Sequence, residues 1–234
     1  MQSLVSARIE TSGDYLLTEA TPQNVAVADG ITVRLFESIS TALPFGREVL
    51  VGTGATCEIS GVIKAPADWK LRTAQYGRHS TLRVRLALAA KDGAKLAAGV
   101  LAQVVGTGNK ADVKVLSLVA SGAAVDLDGT VSILPGARQA EGYITQENVF
   151  LDETGTVRGI PGLLVKSDDV KAGHSARTER LSDARLFYLR SRGIPKDKAR
   201  AMMLRDAVHV LFSGLDEAAR EERVEDALGF VLGK

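Results

Sequence analysis

Leu82–Val119 reads LRVRLALAAKDGAKLAAGVLAQVVGTGNKADVKVLSLV, and its rhythm decides the fold. Leu82-Arg-Val-Arg-Leu-Ala-Leu88 and Val113-Lys-Val-Leu-Ser-Leu-Val119 step with a period of two, which puts one strand face into a core. Between them, Lys91-Asp-Gly93 and Gly106-Thr-Gly-Asn109 supply residues that accept positive φ at a turn. The same pattern extends outward from about Val25 to Val165. Ile31-Thr-Val-Arg-Leu35 and Val125-Asp-Leu127 are further short strands, and Ala28-Asp29-Gly30, Gly52-Thr-Gly54, Asp128-Gly129 and Pro135-Gly136 are further turns. No helical stretch separates them, so a β-sandwich, a barrel and a β-solenoid are all open. Aromatic residues make up only 5% of the chain, and the region is rich in Val, Leu, Ala and Gly. Small and branched residues suit a narrow stacked interior better than a two-sheet sandwich core, so a solenoid is preferred. No fixed-length repeat is visible, and Asp92-Gly93 and Asp128-Gly129 would suit tight hairpins equally well.

After Leu181 the period becomes helical. Ser182 is placed to cap a helix whose apolar side carries Leu186, Phe187 and Leu189, with Gly193 as its left-handed stop. Pro195 opens a second helix, with Ala199, Met202, Met203, Ala207, Val210 and Leu211 as its buried stripe; Ser213-Gly214 ends it. Asp216 caps a third, in which Val224, Ala227, Leu228 and Val231 recur at helical spacing. Three such helices cannot bury all their apolar faces on one another. They are expected to pack on the end of the solenoid and to leave a surface for a partner.

Composition narrows the function classes. The 234 residues are 45% hydrophobic and 24% charged, enough for a substantial core. With 29 Lys+Arg against 28 Asp+Glu, the chain has no excess of positive charge to attract nucleic acid or an acidic membrane. Val84–Val105 is apolar but broken by Arg85, Lys91, Asp92 and Lys95, so no membrane span is expected. MQSLVSARIE lacks the basic region and apolar core of a secretory signal, and a cytoplasmic location is expected. Cys57 is the one cysteine, which rules out an internal disulfide, a CxxC metal site and a cluster held by four thiolates of one chain. His79, His174 and His209 match no zinc spacing, and no GxxxxGK[ST] phosphate loop is present. Nothing points to an enzyme. A solenoid carbohydrate-active enzyme or acyltransferase would need convergent carboxylates, and no strand is read as clustering Asp and Glu on one face.

At the junction of the two regions stand Asp168-Asp-Val-Lys-Ala-Gly-His174-Ser-Ala176 and, thirteen residues from His174 to Phe187, Leu186-Phe-Tyr-Leu-Arg-Ser-Arg-Gly-Ile194. This pair resembles the C-terminal signature of the SufB/SufD family of iron–sulfur cluster assembly proteins, D-D-V-K-C-S-H-G-A followed by L-F-Y-L-R-S-R-G-I. Gly129–Arg138, Asn148–Leu151 and Pro161–Val165 look like the last solenoid turns of the same family, so the resemblance runs from about Asp128 to Phe212. It implies a right-handed parallel β-helix with a C-terminal bundle of about three helices. The division implied is a solenoid core at 1–180 and a helical domain at 181–234 that docks an ABC-type ATPase, SufC. It also implies dimerisation through terminal strands, as a homodimer or with a SufB-like chain, and a transient iron–sulfur cluster shared with a partner. Two departures qualify this. Ala172 occupies the family's cysteine position, and Gln146-Glu147-Asn148 has no cysteine where the SufB branch has one, so the chain looks closer to SufD. It is also short for the family, without the N-terminal helical region.

The candidate residues follow from that resemblance. His174 is the motif ligand or relay; the plain alternative is a hydrogen bond across a dimer seam or at a strand end. Glu147 is a weaker oxygen donor, against a solvated strand carboxylate, and Cys57 a weaker sulfur site, against a small buried thiol. Phe187, Tyr188, Arg190, Arg192, Met202 and Met203 are the partner-binding candidates. Arg185, Arg190, Arg192, Lys196, Lys198 and Arg200, interspersed with Asp183 and Asp197, read first as a solvated helical face. His79 follows Trp69 and Tyr76 in a patch read as a loop over a solenoid end, and His209 reads as an ordinary helical histidine.

Overall fold

The computed structural model describes residues 2–3, 8–39 and 41–233; residues 1 and 4–7 of the segment read above for a signal lie outside them. In chain order the described elements are β1 (Gln2–Ser3), β2 (Arg8–Ile9), β3 (Gly13–Leu17), β4 (Asn24–Val27), β5 (Thr32–Ile39), β6 (Pro44–Val51), β7 (Thr56–Lys64) and β8 (Ala67–Gln75). There follow β9 (Thr81–Ala90), β10 (Lys95–Val104), β11 (Lys110–Val119), β12 (Ala124–Ile133), β13 (Ala140–Phe150), β14 (Thr156–Arg158), β15 (Gly162–Val165) and β16 (Val170–Arg180). Three helices close the chain: α1 (Asp183–Ser191), α2 (Lys196–Leu211) and α3 (Glu217–Leu232).

The odd-numbered strands to β13, then β16, form one sheet; the even-numbered strands form a second, with β15 also paired to β12. Every strand pairing is parallel. Parallel neighbours two strands apart in sequence make a parallel β-solenoid, which three helices follow in the chain. Thr32 pairs with Thr56, Thr56 with Thr81, Thr81 with Lys110 and Lys110 with Glu141, offsets of 24, 25, 29 and 31 residues. This drift explains why no fixed repeat is visible in the sequence. The corner between β7 and β8 is residues 65–66, whereas that between β9 and β10 is residues 91–94.

The hairpin alternative fails at both places. Asp92 and Gly93 do take φ of 55° and 72°, but they carry the chain from one sheet to the other. Asp128-Gly129 is no turn at all and lies inside β12. Gly129 faces the bore, where a Cβ would come 3.0 Å from Ile144 Cδ1. The glycine is there for close approach, not for a turn.

Inward residues of both sheets, among them Val33, Leu35, Ile59, Val84, Leu86, Val113 and Val131, stack into one core. Each such side chain contributes about 1.5–3 kcal/mol by leaving water. Trp69 belongs to this core and is fully buried, so it is not part of a loop over a solenoid end. Some of the polar groups inside are tied, whereas others, such as Ser60 Oγ, Thr73 Oγ1 and Ser117 Oγ, have no partner among the described residues. Arg47 Nε donates to Glu37 Oε1 at 2.9 Å, and its other nitrogens donate to the carbonyls of Thr18 (3.0 Å) and Pro22 (2.8 Å). Burial pushes the Glu37 carboxyl up, and the Arg47 guanidinium opposes that shift. At one corner Asn109 Nδ2 donates to the Gln75 and Gly77 carbonyls while its Oδ1 accepts from the Ser80 backbone N–H.

The helices pack elsewhere than expected. A second core lies between α2, α3 and the outer face of the odd-strand sheet, formed by Phe36, Val62, Ala87, Leu116, Leu118 and Val149 below and Leu204, Val208, Val224 and Leu228 above. The helices therefore lie along the side of the solenoid rather than on its end. The reason is that the later half of these strands is apolar on both faces, as in Leu86-Ala-Leu-Ala-Ala90, which is buried throughout. The caps stand as read: Ser182 Oγ accepts from Arg185 N, Asp216 from Ala219 N, and Gly193 has φ of 80°. The stripe of α3 is also as read, but α2 buries Ala199, Leu204, Val208 and Leu211, while Met202 and Val210 are exposed. In α1 no residue is buried, and Phe187, read as part of its apolar side, is 73% exposed.

Candidate functional site

The candidate site is the C-terminal end of the solenoid. β13 and β16 pair over eleven positions, from Ala140 with Val170 to Phe150 with Arg180. β16 is the last strand of its sheet, so its far edge is open, and its residues are exposed or half-buried throughout. On the opposite sheet β14 and β15 are three and four residues long, and they leave much of the inner side of β16 uncovered.

His174 pairs in register with Ile144, a bore residue, so it lies on the inner side of β16. Its Nδ1 is 2.9 Å from the Pro161 carbonyl, just before β15. A carbonyl only accepts, so Nδ1 carries a proton, and in the neutral form of the ring the lone pair is on Nε2. The imidazole thus clasps the ends of the two sheets together and keeps one nitrogen available as a ligand. Ala172, on the same side two residues earlier, is exposed and pairs with Gly142.

The structure does not bring the other two ligand candidates to this point. Glu147 pairs with Arg177 on the outer side of the sheet and lines a crevice under α2 with Lys114, Thr145 and Val210. The sheet itself separates it from His174. Cys57 pairs with Val33 and Leu82 inside the bore, fully buried, four strands from β16 and so roughly 19 Å away at about 4.8 Å per strand. Burial, with the Glu58 carboxylate beside it, pushes its thiol up to about 12. Such a thiol stays protonated and packs as a small apolar residue. Among the described residues no group of three or more His, Cys, Asp and Glu side chains converges as a metal site. A cluster with four ligand positions would find one free nitrogen here and would need the rest from elsewhere.

The partner-binding candidates spread over α1 and α2. Phe187 is 73% exposed, Tyr188 57% and Met202 46%; Met203 is half-buried, and Arg190 and Arg192 are exposed. Arg192 stacks over Tyr188, 5.4 Å from the ring centre. A helix that buries nothing and shows two aromatic rings to solvent is an unpartnered surface.

One expectation about carboxylates is corrected. Asp126 and Asp128 do share the outer face of β12, because strand parity puts positions two apart on one side. Arg158 Nη2 donates to Asp126 Oδ2 at 2.7 Å.

The sequence profile described as "SUF system FeS cluster assembly, SufBD core domain" matches residues 48–207. This chain belongs to the SufBD family. The match reaches back to Glu48 in β6, well before Asp128, where the sequence resemblance began. Among SufBD relatives, the iron–sulfur cluster assembly protein SufD of Escherichia coli strain K12 is 31% identical over 107 residues, 46% of this chain and 24% of that protein. A SufBD family protein of Archaeoglobus fulgidus is 25% identical over 149 residues, 64% of this chain and 40% of its own length. One of Mycobacterium leprae is 28% identical over 169 residues, 69% and 19%. The chain thus spans less than half the length of these SufBD relatives. None of the described helices is long and apolar enough to cross a membrane.

Proposed function

We propose that this chain is a non-catalytic, cytoplasmic subunit of a SUF-type complex, with the ATPase activity in a partner. In this reading β16 dimerises with a second copy or with a SufB-like chain, α1 and α2 dock a SufC-like ABC ATPase, and a transient cluster is cargo shared at the dimer seam. The observation that carries it is the placement of His174 on an open edge strand, with Nδ1 fixed by Pro161 and Nε2 left over. An edge strand offers unpaired backbone groups that a partner strand can complete. Ala172 and the buried, protonated Cys57 support a SufD-like role, in which a partner supplies the thiolates. The 1–180 and 181–234 units divide these tasks.

The test is co-purification with a SufC-like ATPase, with and without nucleotide. A stable complex weakened by Phe187→Ala and Tyr188→Ala is expected, and absence of any association overturns the docking role. The same two observations, Ala172 and Cys57, also suit a second reading, a structural partner without cluster chemistry. Anaerobic reconstitution with iron and sulfide separates the two. Cluster absorption and Mössbauer signals that depend on His174 support the first, and their absence in both chain and complex supports the second.

A further inference from the structure

Among the described residues no helix covers the outer face of the even-strand sheet, and its residues fall into rows set by the parallel register. Gly46, Lys70, Gly99 and Asp128 form one row across β6, β8, β10 and β12. The row before it runs Asp68, Ala97, Asp126 and Arg158, and the row after it runs Arg72, Leu101 and Thr130. β10 is the low line of this face. Its outward residues are small at Ala97 and Gly99, and between β8 and β12 lies an open hollow of about 530 Å³. The stem of Lys70 leans over it, with Cγ 3.2 Å from where a Cβ on Gly99 would stand.

The two rims carry opposite charge. On the β8 side Asp68, Lys70 and Arg72 sum to +1; on the β12 side Asp126, Asp128 and Arg158 sum to −1. Asp126 and Arg158 pair with each other. Lys70, Arg72 and Asp128 take part in no hydrogen bond or ion pair among the described residues, although Lys70 and Asp128 share a row.

This arrangement is complementary to itself. A two-fold axis laid along β10, in the plane between two such faces, sets β8 of one copy over β12 of the other and keeps every row in line. Lys70 then meets Asp128 of the second copy, twice over. Asp68 meets an Asp126 whose charge Arg158 already balances, and Arg72 meets the Thr130 hydroxyl. The other in-plane axis, across the strands, would set Lys70 on Lys70 and Asp128 on Asp128, so charge selects the first. Columns of seven to ten residues at roughly 3.3 Å each, five of them about 4.8 Å apart, give a footprint of roughly 700 Å² per copy. That is about the size of a specific interface.

We propose that the outer face of the even-strand sheet is a self-association surface that takes a second copy of this chain, two-fold along β10 and separate from the β16 edge. The test is sedimentation of the full chain across a concentration series, for the wild type, K70D, D128K and the two variants mixed in equal amounts. K70D leaves both rims acidic and D128K leaves both basic, so each variant alone repels itself. Their mixture restores both pairs, which pairing within one chain cannot do. The expected result is a concentration-dependent doubling of mass in the wild type, its loss in each variant and its return in the mixture. Added salt should weaken it. Absence of doubling in the wild type, doubling in either variant alone, or a mixture that stays at half mass overturns the proposal. All these residues are half-buried or exposed, and circular dichroism verifies that the variants are folded; K70A serves as a milder variant with the same expected loss. Neither substitution touches β16, so association through that edge would persist in both variants, and doubling that persists there counts against the even-strand face.

Discussion

β13 and β16 are neighbouring strands of equal length, paired residue for residue, yet β13 is half sunk in the core and β16 buries nothing. The difference lies in what stands beside them. β13 has β11 on its other side, and both of its faces are covered in part, by the bore and by the helices. β16 has an open edge, and short strands opposite. In a solenoid each turn is buried by the next, so the last turn is left with edge groups and side chains that no further strand covers.

Substitutions at paired positions test that contrast. Ile144→Ala removes a bore residue that is 2% exposed and is expected to cost about 2–5 kcal/mol in urea unfolding. His174→Ala, one strand over, is expected to cost only about 1 kcal/mol, the worth of its hydrogen bond to Pro161. Equal costs would mean that β16 is as integral to the core as β13. The next pair differs less. Gly142→Val puts a Cβ 2.9 Å from Val131 Cγ1 and 3.1 Å from Ile133 Cδ1, which should cost about 1–3 kcal/mol. Ala172→Val, at its register partner, should stay within about 0.5 kcal/mol.

Thiol chemistry sharpens the comparison without a change of stability. In A172C the introduced thiol should alkylate readily, faster as pH rises past about 8.5, the ordinary thiol range. Cys57, protonated up to about 12 and fully buried, should react only when the chain unfolds, at a rate that follows denaturant. Rapid labelling of Cys57 in the native state would contradict its place in the bore. The smallest effect is the most specific. A172C restores a thiolate beside His174 and should raise iron retained after anaerobic reconstitution, with unchanged unfolding; no gain over wild type would argue that the end of the solenoid does not hold the cargo.

Much of the fold was legible in residues that act locally. Gly30, Asp92-Gly93 and Gly136 mark corners because positive φ must be met by the residue itself. Gly193 marks a helix end for the same reason, and Ser182 and Asp216 mark helix starts because a cap needs their own side-chain oxygen. What was not legible depends on neighbours far off in the chain. Asp128-Gly129 has a turn's composition, but Ile144 across the bore decides its place. The α2 stripe fits two phases, Met202 with Val210 or Leu204 with Val208, and only the apolar outer face of β9 and β11 chooses the second. The continuous run Leu86–Ala90 was the available signal that a layer covers that face. At the site, the motif identifies His174, but the carbonyl of Pro161 and the opposite side taken by Glu147 follow from register, which drifts from turn to turn.

Arg34 shows what the helical layer does for the whole. Its guanidinium holds Asp14 in β3 at 2.7 Å and Asp216, the cap of α3, at 2.9 Å, and Lys64 in β7 is paired with Asp226 of the same helix. With Leu116 and Val149 packed into the same layer, α2 and α3 bridge strands from β3 to β13. The solenoid is therefore splinted along one side and free along the other, like a spring leaf with a single brace. The same brace ties turns that are far apart along the solenoid axis to one another, which strand pairing between neighbours alone does not do.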